Sequence, residues 1–195
     1  MRSFVLLILF TLLFGSDADA QKKVKWLTWE EALEKNQVEK KKIMVDVYTD
    51  WCGWCKKMEK STFSTNVISE FINENFYPVK FNAEQKADII FNNKVYKYVG
   101  GFGRRGYHEL AKEILRGKMS YPTVVFIDSN LDVIQPIPGF QDAKTFEMIM
   151  NYFEGNHYQK TPWRQFTMNF KSEHFPSQTI TPKDLQPRVQ TVRNK

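Results

Sequence analysis

The chain has 195 residues, of which 42% are hydrophobic, 15% aromatic and 26% charged. That composition excludes a disordered or low-complexity chain, and the length accommodates one ordinary domain with some extra rather than two. Two cysteines exclude a disulfide-stapled scaffold and a four-cysteine zinc site. A net charge of +6 leaves acidic partners open.

Residues 1–20 read as a targeting segment rather than as fold. Arg2 precedes an apolar run from Phe4 to Phe14, and Gly15, Ser16 and an A-x-A site at Ala18-Asp19-Ala20 follow. The run is shorter than the roughly 20 residues a bilayer-spanning helix needs, so it predicts a cleaved secretory signal. The alternative is an uncleaved anchor. No cysteine adjoins the cleavage site, which excludes a lipoprotein anchor. No later segment is apolar enough to span, so stable membrane insertion is not expected.

The elements then follow in order. Thr28-Trp29-Glu30-Glu31 has a capping-box pattern and opens a helix to Glu39. Ile43 to Tyr48 is apolar and β-branched and predicts a buried strand running straight into Thr49-Asp50-Trp51-Cys52-Gly53-Trp54-Cys55, which turns into a helix. Val67, Ile68, Phe71 and Ile72 keep helical spacing and predict a second helix over 65–75. A short strand follows from Phe76 to Phe81. Residues 89–99 resemble a hairpin turning at Asn92-Asn93. After a glycine-rich loop, Tyr107, Leu110, Ala111, Ile114 and Leu115 predict a helix stopped by Gly117. Pro122 to Ile127 and Leu131 to Ile134 predict two strands around a turn at Asp128-Ser129-Asn130. Ala143, Phe146, Ile149, Met150 and Phe153 mark a closing helix. Trp163, Phe166 and Phe170 predict one more short packed segment, and disorder is expected from Ser172 onward. Residues 156–195 hold seven basic and two acidic residues, so most of the positive charge belongs to this tail. An exported protein rarely meets nucleic acid, and a solvated tail is expected. The pattern as a whole predicts an α/β domain with a mixed sheet.

Chemistry concentrates at Cys52 and Cys55. Two cysteines three apart at a helix start can close a disulfide across the first turn. The first sulfur meets unpaired backbone N–H groups and the positive end of the helix dipole, which favour thiolate over thiol. Cys52 is therefore the expected nucleophile, and Cys55, expected to lie deeper, the resolving thiol. Half a zinc site is disfavoured because His108, His157 and His174 are not spaced to complete one. Haem attachment would need histidine where Lys56 stands. A purely structural disulfide closing so small a loop would stabilise little.

Taken together, Ile43 through Lys56, Tyr121-Pro122-Thr123 opening a later strand and Gly139-Phe140 after the last strand resemble the thioredoxin superfamily. The stretch Tyr48 to Phe63 is similar to the C-terminal thioredoxin-like domain of periplasmic thiol:disulfide interchange proteins and to exported thioredoxin-like proteins of bacterial envelopes. The resemblance implies a central mixed sheet flanked by helices, with residues 21–155 as the domain and 83–117 as an enlarged connection before the cis-proline strand. It implies Cys52 as attacking and Cys55 as resolving cysteine, and Pro122 as the cis proline offering backbone to an extended substrate. Tyr121 and Thr123, which flank that proline, and Gly53, between the cysteines, are expected to bind substrate with it. Asp46, six residues before Cys52, falls at the family's buried carboxylate. An acid on an apolar strand is disfavoured unless paired or protonated, and a proton shuttle to and from Cys55 is its expected role. An exposed edge-strand aspartate is the alternative. Trp51 and Trp54 are expected to form an apolar lip for a partner.

The implied function is an exported thiol:disulfide oxidoreductase of the bacterial periplasm, on the reductase or isomerase side. It would act on protein disulfides or dithiols, use no cofactor or metal, and be resupplied by a membrane thiol electron donor. A non-catalytic peptide-binding or chaperone module is the competing class. Gly101-Phe102-Gly103-Arg104-Arg105-Gly106 formally matches G-x-G-x-x-G, but too little chain remains for a dinucleotide fold. Arg104 and Arg105 are instead expected in a loop near the active face, meeting acidic or backbone groups of a partner.

Overall fold

A computed structural model describes residues 23–101 and 104–175. The expected signal at 1–20 and the tail from 176 onward lie outside the described residues.

Four strands form the main sheet: β1 (Lys42–Tyr48), β2 (Phe76–Asn82), β7 (Thr123–Ile127) and β8 (Val133–Pro138), in the order β2-β1-β7-β8. β1 pairs parallel with β2 and antiparallel with β7, and β7 pairs antiparallel with β8. β1 is thus central, and five consecutive residues, Ile43 to Val47, are buried. A strand covered on both faces reads as a continuous apolar run, which is why it is visible in the sequence.

Alternation along β1 separates two cores. Ile43, Val45 and Val47 pack with Trp29 and Ala32 of α1 (Trp29–Val38) and with Leu110, Ala111 and Ile114 of α4 (Glu109–Ile114). Met44 faces the other way. It packs with Met58 of α2 (Gly53–Met58), Ile68 and Ile72 of α3 (Asn66–Asn75), and Phe146 and Phe153 of α5 (Ala143–Glu154). A π-helical turn, Glu59–Phe63, continues α2. The capping box on α1 is formed: Glu31 N donates to Thr28 Oγ1 at 3.2 Å, and Thr28 N donates to Glu31 Oε2 at 2.7 Å. The late segment α6 (Trp163–Asn169) sets Trp163 and Phe166 each 5.1 Å from the Tyr152 ring of α5.

Several expectations need correction. β8 begins two residues later than predicted and runs on through Pro136 and Pro138. Prolines lack an N–H, and β8 tolerates them because it is an edge strand. Residues 89–99 are not one hairpin. β3 (Ile89–Phe91) pairs with β4 (Lys94–Tyr96) around Asn92 and Asn93, whose φ angles of 48° and 60° suit a two-residue hairpin turn. A second hairpin follows, β5 (Tyr98–Gly101) with β6 (Arg104–His108), where a glycine-rich loop was expected. Tyr107 is therefore in a strand, and α4 starts two residues later. His108 is the reason: its N–H donates to Ala83 O at 2.7 Å while its Nδ1 accepts from Leu110 N at 3.3 Å. Finally, Phe175 packs partly buried against the second core, inside the region where disorder was expected.

Gly106 holds the β5–β6 hairpin close. A Cβ there would overlap the Tyr98 ring and the Val99 carbonyl oxygen, and the latter is backbone that cannot swing away. Gly106→Ala is expected to destabilise the chain by about 1–3 kcal/mol through overpacking, read as a lower urea midpoint.

Candidate functional site

Strand β1 delivers the chain to the site and α2 receives it. Cys52 is the N-cap of α2, with its N–H donating to Thr49 O at 3.0 Å. Cys52 and Cys55 form a disulfide, and Cys55 N donates to Cys52 Sγ at 3.1 Å. An N–H of the helix's first turn, otherwise without a partner inside the helix, is therefore aimed at the sulfur expected to attack. The expectation that Cys55 lies deeper is not met: the residues are 5% and 6% exposed. Gly53, between them, is exposed.

Trp51 and Trp54 flank the pair, each 51% exposed. Trp51 Nε1 donates to Glu84 Oε1 at 3.0 Å, its ring meets Tyr121 edge-on at 5.9 Å, and the Arg105 guanidinium lies 4.4 Å from its centre. Trp54 leans on Phe140 at 5.5 Å, and Lys57 Nζ lies 4.7 Å from the Trp54 ring centre and 5.2 Å from that of Phe140. Each lip is thus an aromatic ring carrying a cation. The side chain of Arg104 lies outside the described residues.

The Tyr121–Pro122 bond is cis, and Pro122 O accepts from Gly139 N at 2.8 Å. Gly139 follows β8 with φ of 90°, a conformation that favours glycine. Burial first, and the Glu84 charge second, push the Tyr121 hydroxyl up to about 12. Thr123 is buried, and its hydroxyl donates to Ser120 O at 2.8 Å. Its side chain ties down the proline loop instead of facing outward.

Asp46 is 2% exposed on the central strand, so the edge-strand alternative is excluded. It sits on the Met44 face of β1, beneath the helix that starts at Gly53. Asp46 Oδ2 accepts from Lys80 Nζ at 2.6 Å, while Oδ1 has no hydrogen-bond partner. Lys80 also pairs with Glu59 on the π-helical turn. Burial raises the Asp46 carboxyl above its usual value, and Lys80 pulls it down less strongly. Lys80 moves up as well, because two carboxylates together outweigh its own burial. The ammonium is further surrounded by the rings of Trp26, Tyr48 and Phe63, at 4.7, 5.1 and 5.7 Å. Lys80 and Glu59 were not singled out from the sequence. The available signal was a lysine in the apolar strand β2; the register sets it directly opposite Asp46.

Among the described residues, no three His, Cys, Asp or Glu side chains gather in a way that could hold a metal ion. No helix among them is long and apolar enough to cross a membrane.

The comparisons agree with this geometry. Spermatogenesis-associated protein 20 of Rattus norvegicus is 36% identical over 78 residues, 40% of this chain but 10% of that protein. Thiol:disulfide interchange protein DsbD of Yersinia pestis is 29% identical over 112 residues, 56% of this chain and 16% of that one. The chain thus spans only a small part of these relatives' own length. A solved structure described as DsbH Oxidoreductase superposes with a TM-score of 0.50 at 19% identity, covering 71% of this chain and 90% of the other, a likeness of fold. Residues 29–154, which run from α1 to the end of α5 and enclose both cysteines and the cis proline, match the family described as thioredoxin-like domain, and the chain belongs to that family.

Proposed function

We propose that the protein is an exported thiol:disulfide oxidoreductase acting on protein substrates in the reductase or isomerase direction. One observation carries this: a Cys52–Cys55 disulfide at a helix N-terminus, with Cys55 N–H on the Cys52 sulfur. The name of the Yersinia relative, a thiol:disulfide interchange protein, supports the same chemistry. The basic start, short apolar run and A-x-A site of residues 1–20 support export to a bacterial periplasm. The redox domain is then 21–155, with 156–195 a basic extension.

The reduced chain opens the exchange. The Cys52 thiolate attacks one sulfur of the partner disulfide, that S–S bond breaks, and the other partner sulfur leaves as thiolate. Cys55 gives up its proton and attacks the Cys52 sulfur. This expels the second partner thiolate and leaves the Cys52–Cys55 disulfide. Two electrons have passed to the partner, and a membrane thiol donor returns them. Asp46 accepts the Cys55 proton: burial raises its affinity for protons above that of an ordinary carboxylate, and Lys80, which pulls it the other way, favours the ionised form that can accept one. Trp51, Trp54 and Tyr121 line the partner's approach, and the Pro122 backbone edge is offered to an extended chain.

The test is catalysis of insulin disulfide reduction by dithiothreitol. The protein is expected to accelerate it well above the uncatalysed rate, in proportion to protein concentration. A peptide-binding module would leave the rate unchanged and bind partners equally well without its cysteines.

A further inference from the structure

Arg105 lies on β6, within the enlarged 83–117 connection, 54 positions along the chain from Trp51. The fold brings the two together, with the guanidinium 4.4 Å from the ring centre. Trp51 directly precedes Cys52, and it is held from a second side by the Glu84 carboxylate, from the same connection. The cation is thus fixed at the rim of the redox site.

Its charge is not consumed there. Arg105 is exposed, and among the described residues no carboxylate pairs with it. Two acids of the site make hydrogen bonds elsewhere: Glu84 accepts from Trp51 Nε1, and Asp50 from Asn82 Nδ2 at 3.1 Å. A guanidinium held over a ring has five N–H donors and makes no hydrogen bond to the ring's carbons, so a carboxylate can still bind it with two parallel hydrogen bonds. Lys57, over the Trp54 and Phe140 rings, places a second cation at the site. A partner chain reaching the disulfide meets two ring-mounted positive charges at the site.

We propose that the 83–117 connection selects substrates through Arg105, which binds an aspartate or glutamate next to the cysteine under attack. The preferred substrate is therefore an extended protein segment whose reactive disulfide is flanked by acidic residues. This rests on the oxidoreductase function proposed above and adds a substrate class to it. Attraction at an exposed rim is modest and salt-sensitive, which suits a site that must release its product.

The test uses two fluorogenic peptide disulfides, identical except for Glu or Gln on either side of one cysteine. Each is reduced by the full-length protein in its dithiol form, and each rate is divided by that with dithiothreitol, which removes the peptide's own reactivity. Wild type is expected to favour the Glu peptide by about fivefold in kcat/KM at low salt, with the preference vanishing near 0.5 M salt on the order expected for rim charges. Arg105→Ala is expected to bring the ratio to about one, and Arg105→Glu to invert it in favour of Gln, by the loss and reversal of one rim charge. Equal normalised rates in wild type, or a Glu preference that survives Arg105→Ala, would overturn the proposal while leaving the redox function standing. Reduction of neither peptide would overturn both.

Discussion

Replacing Cys52 with serine is expected to abolish disulfide exchange, lowering insulin reduction by about 10³-fold or more, to the uncatalysed rate. A hydroxyl at this position keeps the N-cap hydrogen bond but supplies no thiolate, so local structure survives while chemistry does not. Cys55→Ala is expected to behave differently. Cys52 still attacks, but nothing expels the partner, so turnover stops after one event and a mixed disulfide accumulates. Non-reducing electrophoresis and mass spectrometry of the adduct separate the two variants. Exposure does not distinguish the cysteines, since both are nearly covered. What distinguishes them is that Cys52 caps the helix and its sulfur receives the Cys55 N–H, whereas Cys55 lies within the first turn. Trapping on Cys55 in a Cys52→Ala protein, with none on Cys52 in Cys55→Ala, would reverse the assigned roles.

The parts of this fold legible in the sequence are those fixed by local chemistry. The capping box at Thr28, the buried run of β1, the asparagine turn at 92–93 and the C-x-x-C at a strand-to-helix junction each lie within about a dozen residues. The β5–β6 hairpin was hidden because its glycines, which read as loop, are there to let strands approach: Gly106 lies against the Tyr98 ring. The end of strand β8 is hard to read because Pro136 and Pro138 argue against a strand until its place at the sheet edge is known. The site's electrostatics were hidden for a deeper reason. Asp46 meets Lys80 across a parallel register, Lys80 meets Glu59 from another element, and Trp51 meets Arg105 over a long loop. Each partner is an ordinary surface residue type in its own segment, and only tertiary pairing gives it a role. The sequence therefore marks which sulfurs react more readily than it marks what tunes them.

Asp46→Asn is expected to make the protein more stable and less active at once. Burial raises the folded-state affinity of Asp46 for its proton, so its contribution to stability is full below the unfolded carboxylate value of 3.8 and is lost as pH rises through the higher folded value. Asparagine carries no such charge. The variant gains on wild type as pH climbs out of the acid range, reaching about 1–2 kcal/mol at pH 8 by urea unfolding, and little or nothing at pH 4. Lys80 is not stranded by the change, because Glu59 still pairs with it. The amide nitrogen would take the place of Oδ1, which has no partner in wild type, and this keeps the gain small. Activity moves the other way. Without a base beneath α2, Cys55 loses its proton to water alone, so release of the mixed disulfide slows by about 10²-fold and the pH–rate profile loses the inflection belonging to Asp46. Attack by Cys52, followed as the first thiol released, is expected to change far less. A variant less stable than wild type at pH 8 would contradict the dominance of burial over the Lys80 attraction. An unchanged pH–rate profile would remove Asp46 from the proton path even if the stability result held. The two readouts separate the two roles proposed for one carboxylate: an ion that weakens the folded state, and a proton acceptor for the second sulfur.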